Sequence, residues 1–120
     1  MSWQVEICDE FLKEFYLLPL VIQEELAAQS RMLARWGPEL GRPYVDTLNG
    51  SRHRNMKELR FKAGRHVWRI AFAFDTRRRA ILLVGGSKSG VSESRFYKIL
   101  ITLADARFDR HIAELKGEKK

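Results

Sequence analysis

NMKELRFKAGRHVWRIAFAFDTRRRAILLVGG, residues 55–86, is the stretch that decides the fold. Two short breaks, at residues 62–65 and 75–78, divide it into three runs that are rich in aromatic and aliphatic side chains. Breaks as short as these connect antiparallel neighbours. The stretch therefore predicts a three-strand meander with strands Met56–Phe61, Val67–Phe74 and Arg79–Val84.

The two faces of this meander differ in chemistry, because side chains along a strand alternate between faces. One face carries the large apolar side chains Leu59, Phe61, Trp68, Ile70, Phe72 and Phe74. The opposite face carries Glu58, Arg60 and Arg69 among small alanines. Sheets with one packed face and one solvated face are common. We therefore predict that the second face is open to solvent and holds a functional site.

Composition limits the class of protein. A chain of 120 residues suffices for one domain and one core, so we predict a single domain over residues 1–120. The net charge of +7 and the pI of about 9.9 indicate an acidic partner such as nucleic acid, an acidic protein or an anionic membrane. With 22 basic and 15 acidic residues the charge is mixed rather than polybasic, which argues against a membrane.

Cysteine usage and hydropathy indicate a cytoplasmic protein. Cys8 is the single cysteine, which excludes an internal disulfide and fits a reducing compartment. No apolar run approaches the roughly 20 residues of a transmembrane helix. The amino-terminal residues MSWQVEICDE lack the basic start and apolar centre of a signal peptide.

The flanking segments predict further elements. Alternation over residues 3–7 predicts a strand at the edge of the meander, and Asp9 is expected to cap a helix that follows it. A second helix, Pro19 to Trp36, should cover the apolar face, and residues 37–54 predict a loop. Residues 85–90 predict a flexible turn, and Ser92 should cap a final helix. The predicted class is α+β: an antiparallel sheet of an amino-terminal strand and the meander, packed against two amino-terminal helices, with a carboxy-terminal helix.

The charged residues of the second face suit the cleavage of RNA by its own 2′-hydroxyl. Arginine binds phosphate through a planar fork of donors and stabilises charge that develops on phosphoryl oxygens. Arg60 and Arg69 would do this together with Lys88, which follows the third strand. Glu58 could accept the proton of the 2′-hydroxyl, and Lys88 could protonate the leaving 5′-oxygen. This chemistry needs no metal or other cofactor, and the three histidines have no metal-ligand spacing.

Other basic residues extend the candidate RNA surface. Lys57 and Arg65 are expected beside the patch, and Arg77 and Arg78 form a basic turn that could contact RNA phosphates without sequence preference. The alternative is structural: charges on an open sheet face are commonly solvated or paired across strands. Glu58 could then serve only as the ion-pair partner of Arg69.

The run MKELRF…RHVWRIAFAF…AILLVGGSKSG resembles the RelE/ParE toxin superfamily, in its HigB-like, phage-associated branch. The resemblance extends over nearly the whole chain and implies a RelE-like fold. It implies a bacterial toxin of a type II toxin–antitoxin system, located in the cytoplasm. Members with ribonuclease activity cut mRNA in the ribosomal decoding site without a metal ion.

The resemblance also assigns roles by position. Arg60 and Arg69 match basic strand positions that hold the scissile phosphate, and Lys88 matches the basic residue after the last strand. Glu58 stands where some members have lysine. The chain lacks a clear counterpart of the carboxy-terminal tyrosine or histidine that acts as acid or base in several members, and Tyr97 is the nearest aromatic residue.

The implied partners are mRNA, the ribosome and a cognate antitoxin, either acidic or built on a helix-turn-helix. The antitoxin would cover the site by charge pairing and form a hetero-oligomer with the toxin. Two alternatives stay open. ParE-like members are non-enzymatic and bind DNA gyrase, and an inactive prophage remnant would fold without acting.

Overall fold

A computed structural model describes residues 2–118 as three helices and a five-stranded sheet. In chain order the elements are β1 Gln4–Ile7, α1 Asp9–Phe15, α2 Leu20–Trp36, β2 Val45–Thr47, β3 Met56–Ala63, β4 His66–Phe74, β5 Arg79–Ser87 and α3 Glu93–Glu118. A short 3₁₀ turn, Gly37–Glu39, follows α2. The strand order is β1-β5-β4-β3-β2. None of the helices in this part of the chain is long and apolar enough to cross a membrane.

The α+β class and the three-strand meander are confirmed, and three predicted features of the sheet are wrong. β1 pairs in parallel with β5, so the sheet is mixed rather than antiparallel. The predicted loop contains β2, which places Val45 opposite Leu59. A strand of three residues is too short to show an alternating pattern. β5 also runs on to Ser87, so the first three residues of the predicted turn at residues 85–90 are in a strand.

Helices α1 and α2 cover the apolar face of the sheet, as the sequence predicts. Buried Ile22, Leu26 and Leu33 of α2 belong to one cluster with the large side chains of the meander. The beginning of α1 differs from the prediction, because Asp9 is the first helical residue and Cys8 precedes it as the cap. The Cys8 thiol is half-buried, and this burial raises its pKa.

Helix α3 covers the opposite face, so the prediction that this face is open to solvent is wrong. A second buried cluster lies between α3 and the sheet: Leu48, Met56, Ala71, Ala73, Ile81, Leu83, Val84, Phe96, Leu100, Ala104 and Phe108. The small alanines of β4 provide the room for the aromatic side chains of α3. The uninterrupted apolar run of residues 80–84 is typical of a strand that is buried on both faces.

Polar contacts fix α3 in position at its start and along its length. The Ser92 hydroxyl accepts a hydrogen bond from the Arg95 amide at 3.3 Å, which confirms the predicted cap. Further along, Arg107 donates to both carboxylate oxygens of Glu14 in α1, at 2.8 and 2.7 Å, and to the carbonyl of Leu83 in β5 at 2.8 Å. The hydrogen-bonded Glu14 carboxylate raises the pKa of Arg107. One arginine therefore joins both helical layers to the sheet.

Candidate functional site

Three cations, Arg60, Arg69 and Lys88, form a row near one end of the meander, in which the strand register fixes the two arginines and Lys88 follows the last strand. Arg60 of β3 lies directly opposite Arg69 of β4, which in turn lies opposite Gly86 of β5. Lys88 follows two residues after Gly86, just beyond the end of β5. Cβ atoms of residues directly opposite in a sheet are about 4.5–5.5 Å apart. Arg60 and Arg69 are therefore neighbours on the same face, as the alternation predicts.

Glu58 lies on the same face, two residues before Arg60 on β3 and opposite Ala71 of β4. The Glu58 and Arg69 side chains are only 8% and 5% exposed, and the Glu58 Oε1 atom is 3.8 Å from Arg69 Nε. That distance allows electrostatic attraction but is too long for a hydrogen bond. Within residues 2–118, Arg69 Nε has no hydrogen-bond partner.

The first turns of α3 cover this pair with two aromatic rings. The Arg69 guanidinium carbon lies 5.9 Å from the centroid of the Phe96 ring and 5.8 Å from that of Tyr97, within the range of a cation–π contact. The Tyr97 hydroxyl donates a hydrogen bond of 2.7 Å to Glu58 Oε1. Burial, with the Glu58 carboxylate as the next cause, raises the pKa of Tyr97 to about 12. Tyr97 is therefore a protonated donor at neutral pH.

Tyr97 is the residue whose role the sequence did not reveal. Its partner Glu58 is 39 positions away, and no local pattern reports such a contact. The available signal was indirect: Phe96 and Leu100 begin an apolar stripe on α3, which needs a sheet face to cover. That stripe could have placed the start of α3 over Glu58.

Arg60 and Lys88 are the members of the row that solvent reaches. Arg60 is half-buried, and its backbone amide donates to the Tyr44 carbonyl at 2.8 Å. The Lys88 side chain is 32% exposed, and its ammonium lies 3.1 Å from the carboxylate of Glu93 in the first turn of α3. The two accessible cations stand on either side of the buried Arg69.

The structure brings only part of the predicted RNA surface together. Exposed Arg65 lies in the β3–β4 turn, at the same end of the sheet as Lys88. Lys57 lies opposite Phe72, on the face covered by α1 and α2, so the prediction that it lies beside the patch is wrong. Consecutive strand residues point to opposite faces, so Lys57 cannot share the face of its neighbour Glu58.

The basic turn between β4 and β5 is also remote from the row. Arg77 and Arg78 follow Phe74, which lies five positions after Arg69 on β4, about 17 Å away at the usual rise of a strand. The Arg78 guanidinium lies 4.4 Å from the centroid of the Trp3 ring, at the opposite end of the meander. These two arginines do not belong to the site around Arg60.

Comparison with known proteins identifies the family. Residues 13–109 match the model of a family described as phage-derived protein Gp49-like. The chain belongs to this Gp49-like family. It is similar to HigB2 of Mycobacterium tuberculosis, with 45% identity over 97 residues that make up 80% of this chain and 48% of HigB2. It is also similar to HigB3 of that organism, with 49% identity over 86 residues, 72% of this chain and 73% of HigB3.

The Gp49-like chain thus spans about half the length of HigB2. Among solved structures it is similar to the Escherichia coli toxin RelE, determined as a mutant in the free state. The TM-score is 0.59 over 85% of this chain and 96% of the RelE chain, at 14% sequence identity. The RelE-like fold and the HigB-like family that the sequence resembles are both confirmed.

Proposed function

We propose that this Gp49-like protein is the toxin of a type II toxin–antitoxin system and acts as a metal-independent, ribosome-associated mRNA endoribonuclease. HigB2 and HigB3 are described as candidate toxins, and RelE is a toxin. The observation that carries the proposal is that Arg60 lies directly opposite Arg69, with Lys88 just beyond the end of the adjacent strand. Like charges directly opposite each other destabilise a sheet, and a phosphate bound between them would remove that cost.

In the proposed reaction the 2′-oxygen forms a bond to phosphorus while the bond from phosphorus to the 5′-oxygen breaks. Arg60 and Lys88 would contact the phosphate first because solvent reaches both. Arg60 and Arg69 would together stabilise the charge that develops on the phosphoryl oxygens. Glu58 would accept the proton of the 2′-hydroxyl, and Lys88 would protonate the 5′-oxygen.

This mechanism requires movement at the start of α3. Phe96 and Tyr97 cover Arg69, and the Tyr97 hydroxyl is hydrogen-bonded to Glu58 Oε1. Glu58 and Arg69 therefore reach RNA only when the first turns of α3 leave the sheet. The proposed partner that restrains the toxin is an acidic or helix-turn-helix antitoxin, which the net charge of +7 would attract.

A non-enzymatic toxin that binds DNA gyrase is the second candidate. The burial of Glu58 and Arg69 favours it, because groups that are shielded from solvent cannot act on a substrate in this conformation. Primer-extension mapping of cellular mRNA separates the two candidates. Codon-phased cuts support the endoribonuclease, whereas intact mRNA together with DNA damage supports gyrase binding.

Growth arrest on expression tests the site assignment. Arg60→Ala, Arg69→Ala and Lys88→Ala should each relieve the arrest, whereas Arg31→Ala, which removes an exposed charge on α2, should not. Circular dichroism of the purified variants shows whether each one folds, which matters most for buried Arg69. If all three variants fold and remain fully toxic, the site assignment is wrong.

A further inference from the structure

An open groove of about 880 Å³ lies at the edge of the sheet, beside Arg60. It exists because β2 is three residues long and pairs only with residues 57–59 of β3, whereas β3 continues to Ala63. Beyond Tyr44, the last residues of β3 have no neighbouring strand on that side within the described chain. Glu25 and Gln29 of α2 form the other wall. The volume falls within the range of about 300–1,000 Å³ that is typical of ligand pockets.

The lining of the groove combines an aromatic ring with cations. Tyr44 is 40% exposed although it is a large aromatic residue. Arg42, Arg60 and Lys62 line the same space. The carboxylates in the groove are those of Glu25 and Asp46, and Asp46 pairs with Arg42 at 3.1 Å. Three cations against two carboxylates leave the groove basic.

One polar wall of the groove has unused hydrogen-bonding capacity. The Gln29 side-chain nitrogen donates to Glu25 Oε1 at 3.1 Å. The Gln29 side-chain oxygen has no hydrogen-bond partner among the residues that the structure describes. Buried polar atoms without partners are uncommon in folded proteins.

We infer that this groove binds one nucleotide of single-stranded RNA, with its base stacked on Tyr44 and its phosphate held by Arg42 and Lys62. The inference rests on the proposed function, because Arg60 lines both the groove and the row of cations. A strand with its scissile phosphate at Arg60 would extend directly into the groove. Aromatic rings bind unstacked bases of single-stranded RNA, and lysine and arginine bind its phosphates.

Binding of an RNA that cannot be cut tests this subsite independently of catalysis. The probe is a fluorescently labelled eight-nucleotide RNA in which every 2′-hydroxyl is methylated, titrated with the full-length protein by fluorescence anisotropy. Tyr44→Ala should weaken binding on the order of 10-fold, since a base stacked on an aromatic ring contributes substantially to affinity. Tyr44→Phe keeps the ring and should bind like the wild type. Tyr16→Ala, a change at a tyrosine that is 67% exposed outside the groove, should have no effect.

A second variant tests the phosphate contact through its salt dependence. Affinity falls as salt rises, so log affinity against log salt concentration has a negative slope. Exposed Lys62→Ala should make that slope shallower by about 0.7, the amount expected for one phosphate contact with a single strand. Lys13→Ala, at an exposed lysine on α1, is the matched control and should leave the slope unchanged.

The outcomes separate this inference from the proposed function. Equal affinity of the wild type and Tyr44→Ala overturns the subsite, and so does a wild type that does not bind the probe. Loss of antitoxin binding in Tyr44→Ala with RNA affinity intact also overturns it and assigns the groove to a peptide. If Tyr44→Ala loses RNA affinity while the wild type cuts no mRNA, the result supports the subsite but rules out the endoribonuclease proposal.

Discussion

At the scale of single residues, the half-buried Tyr97 and the buried Glu58 and Arg69 form one unit. The carboxylate accepts the Tyr97 hydroxyl at 2.7 Å and attracts the guanidinium at 3.8 Å, while the tyrosine ring packs on that guanidinium. Removal of one member leaves another buried polar group without its partner, which costs more than the net contribution of the contact. Variants of these residues therefore report on stability as well as on function.

Alkaline titration tests the contact between Tyr97 and Glu58. Burial and the Glu58 carboxylate raise the pKa of Tyr97 to about 12, so it should ionise well above the unfolded value of 10. A raised pKa stabilises the folded state below the unfolded value of 10, and this contribution is lost as pH rises from 10 towards 12. Tyr97→Phe should remove the transition near pH 12 in absorbance at about 295 nm and cost about 1–3 kcal/mol in unfolding free energy. A Tyr97 that ionises near pH 10 would contradict the contact.

Asp75 is the second polar residue on which the fold depends. Its side chain is 1% exposed and accepts hydrogen bonds from the Arg77 and Arg79 amides, the Arg79 side chain and His111. Burial alone would raise the pKa of Asp75, but the hydrogen bond with His111 and those from the two amides together lower it. The ionised carboxylate therefore holds the β4–β5 turn closed and connects it to α3.

Asp75→Asn should lower the unfolding free energy at pH 7 by about 2 kcal/mol, measured by urea denaturation. A carboxyl with a lowered pKa stabilises the fold above its unfolded value of 3.8, and this stabilisation is lost as pH falls through the folded value. The difference between wild type and variant should therefore shrink below about pH 4. Glu24→Gln, at an exposed carboxylate on α2, should change little. A difference that is constant down to pH 2 would refute this role of Asp75.

At the scale of secondary-structure elements, two adjacent glycines in β5 face different helices, Gly85 towards α1 and Gly86 towards α3. A Cβ atom on Gly85 would collide with Ile70 Cδ1 and lie 3.2 Å from the ring of Phe11, on the side of α1. A Cβ atom on Gly86 would lie 3.4 Å from the Phe96 ring of α3, an ordinary van der Waals contact. The sheet approaches α1 more closely than it approaches the start of α3.

Gly85→Ala and Gly86→Ala form a matched pair that tests this difference. Gly85→Ala should cost about 1–3 kcal/mol in unfolding free energy, because Ile70 and Phe11 must move to admit the methyl group. Gly86→Ala should stay within about 0.5 kcal/mol of the wild type. Thermal or urea denaturation of both variants measures the two values. Equal destabilisation by the two changes would show that the packing around β5 is not as described.

At the scale of the whole molecule, the sequence predicted what local periodicity encodes. The meander and the covering by α2 follow from runs such as residues 67–74, whose alternation is visible without a structure. The parallel pairing of β1 with β5 and the cover that α3 provides depend on contacts between distant segments. For the candidate site, alternation placed Arg60 and Arg69 on one face but could not show that Phe96 and Tyr97 close over it.

The most direct test of the central claim is the rate of mRNA cleavage on programmed ribosomes, measured in a single turnover with purified toxin. Arg60 is the cation of the row that is both accessible and directly opposite Arg69. Arg60→Ala should slow cleavage by about 10²–10³-fold, as expected when one donor to the developing phosphoryl charge is removed, while Arg31→Ala cleaves at the wild-type rate. Cleavage by Arg60→Ala at the wild-type rate, or no cleavage by the wild type, would contradict the account.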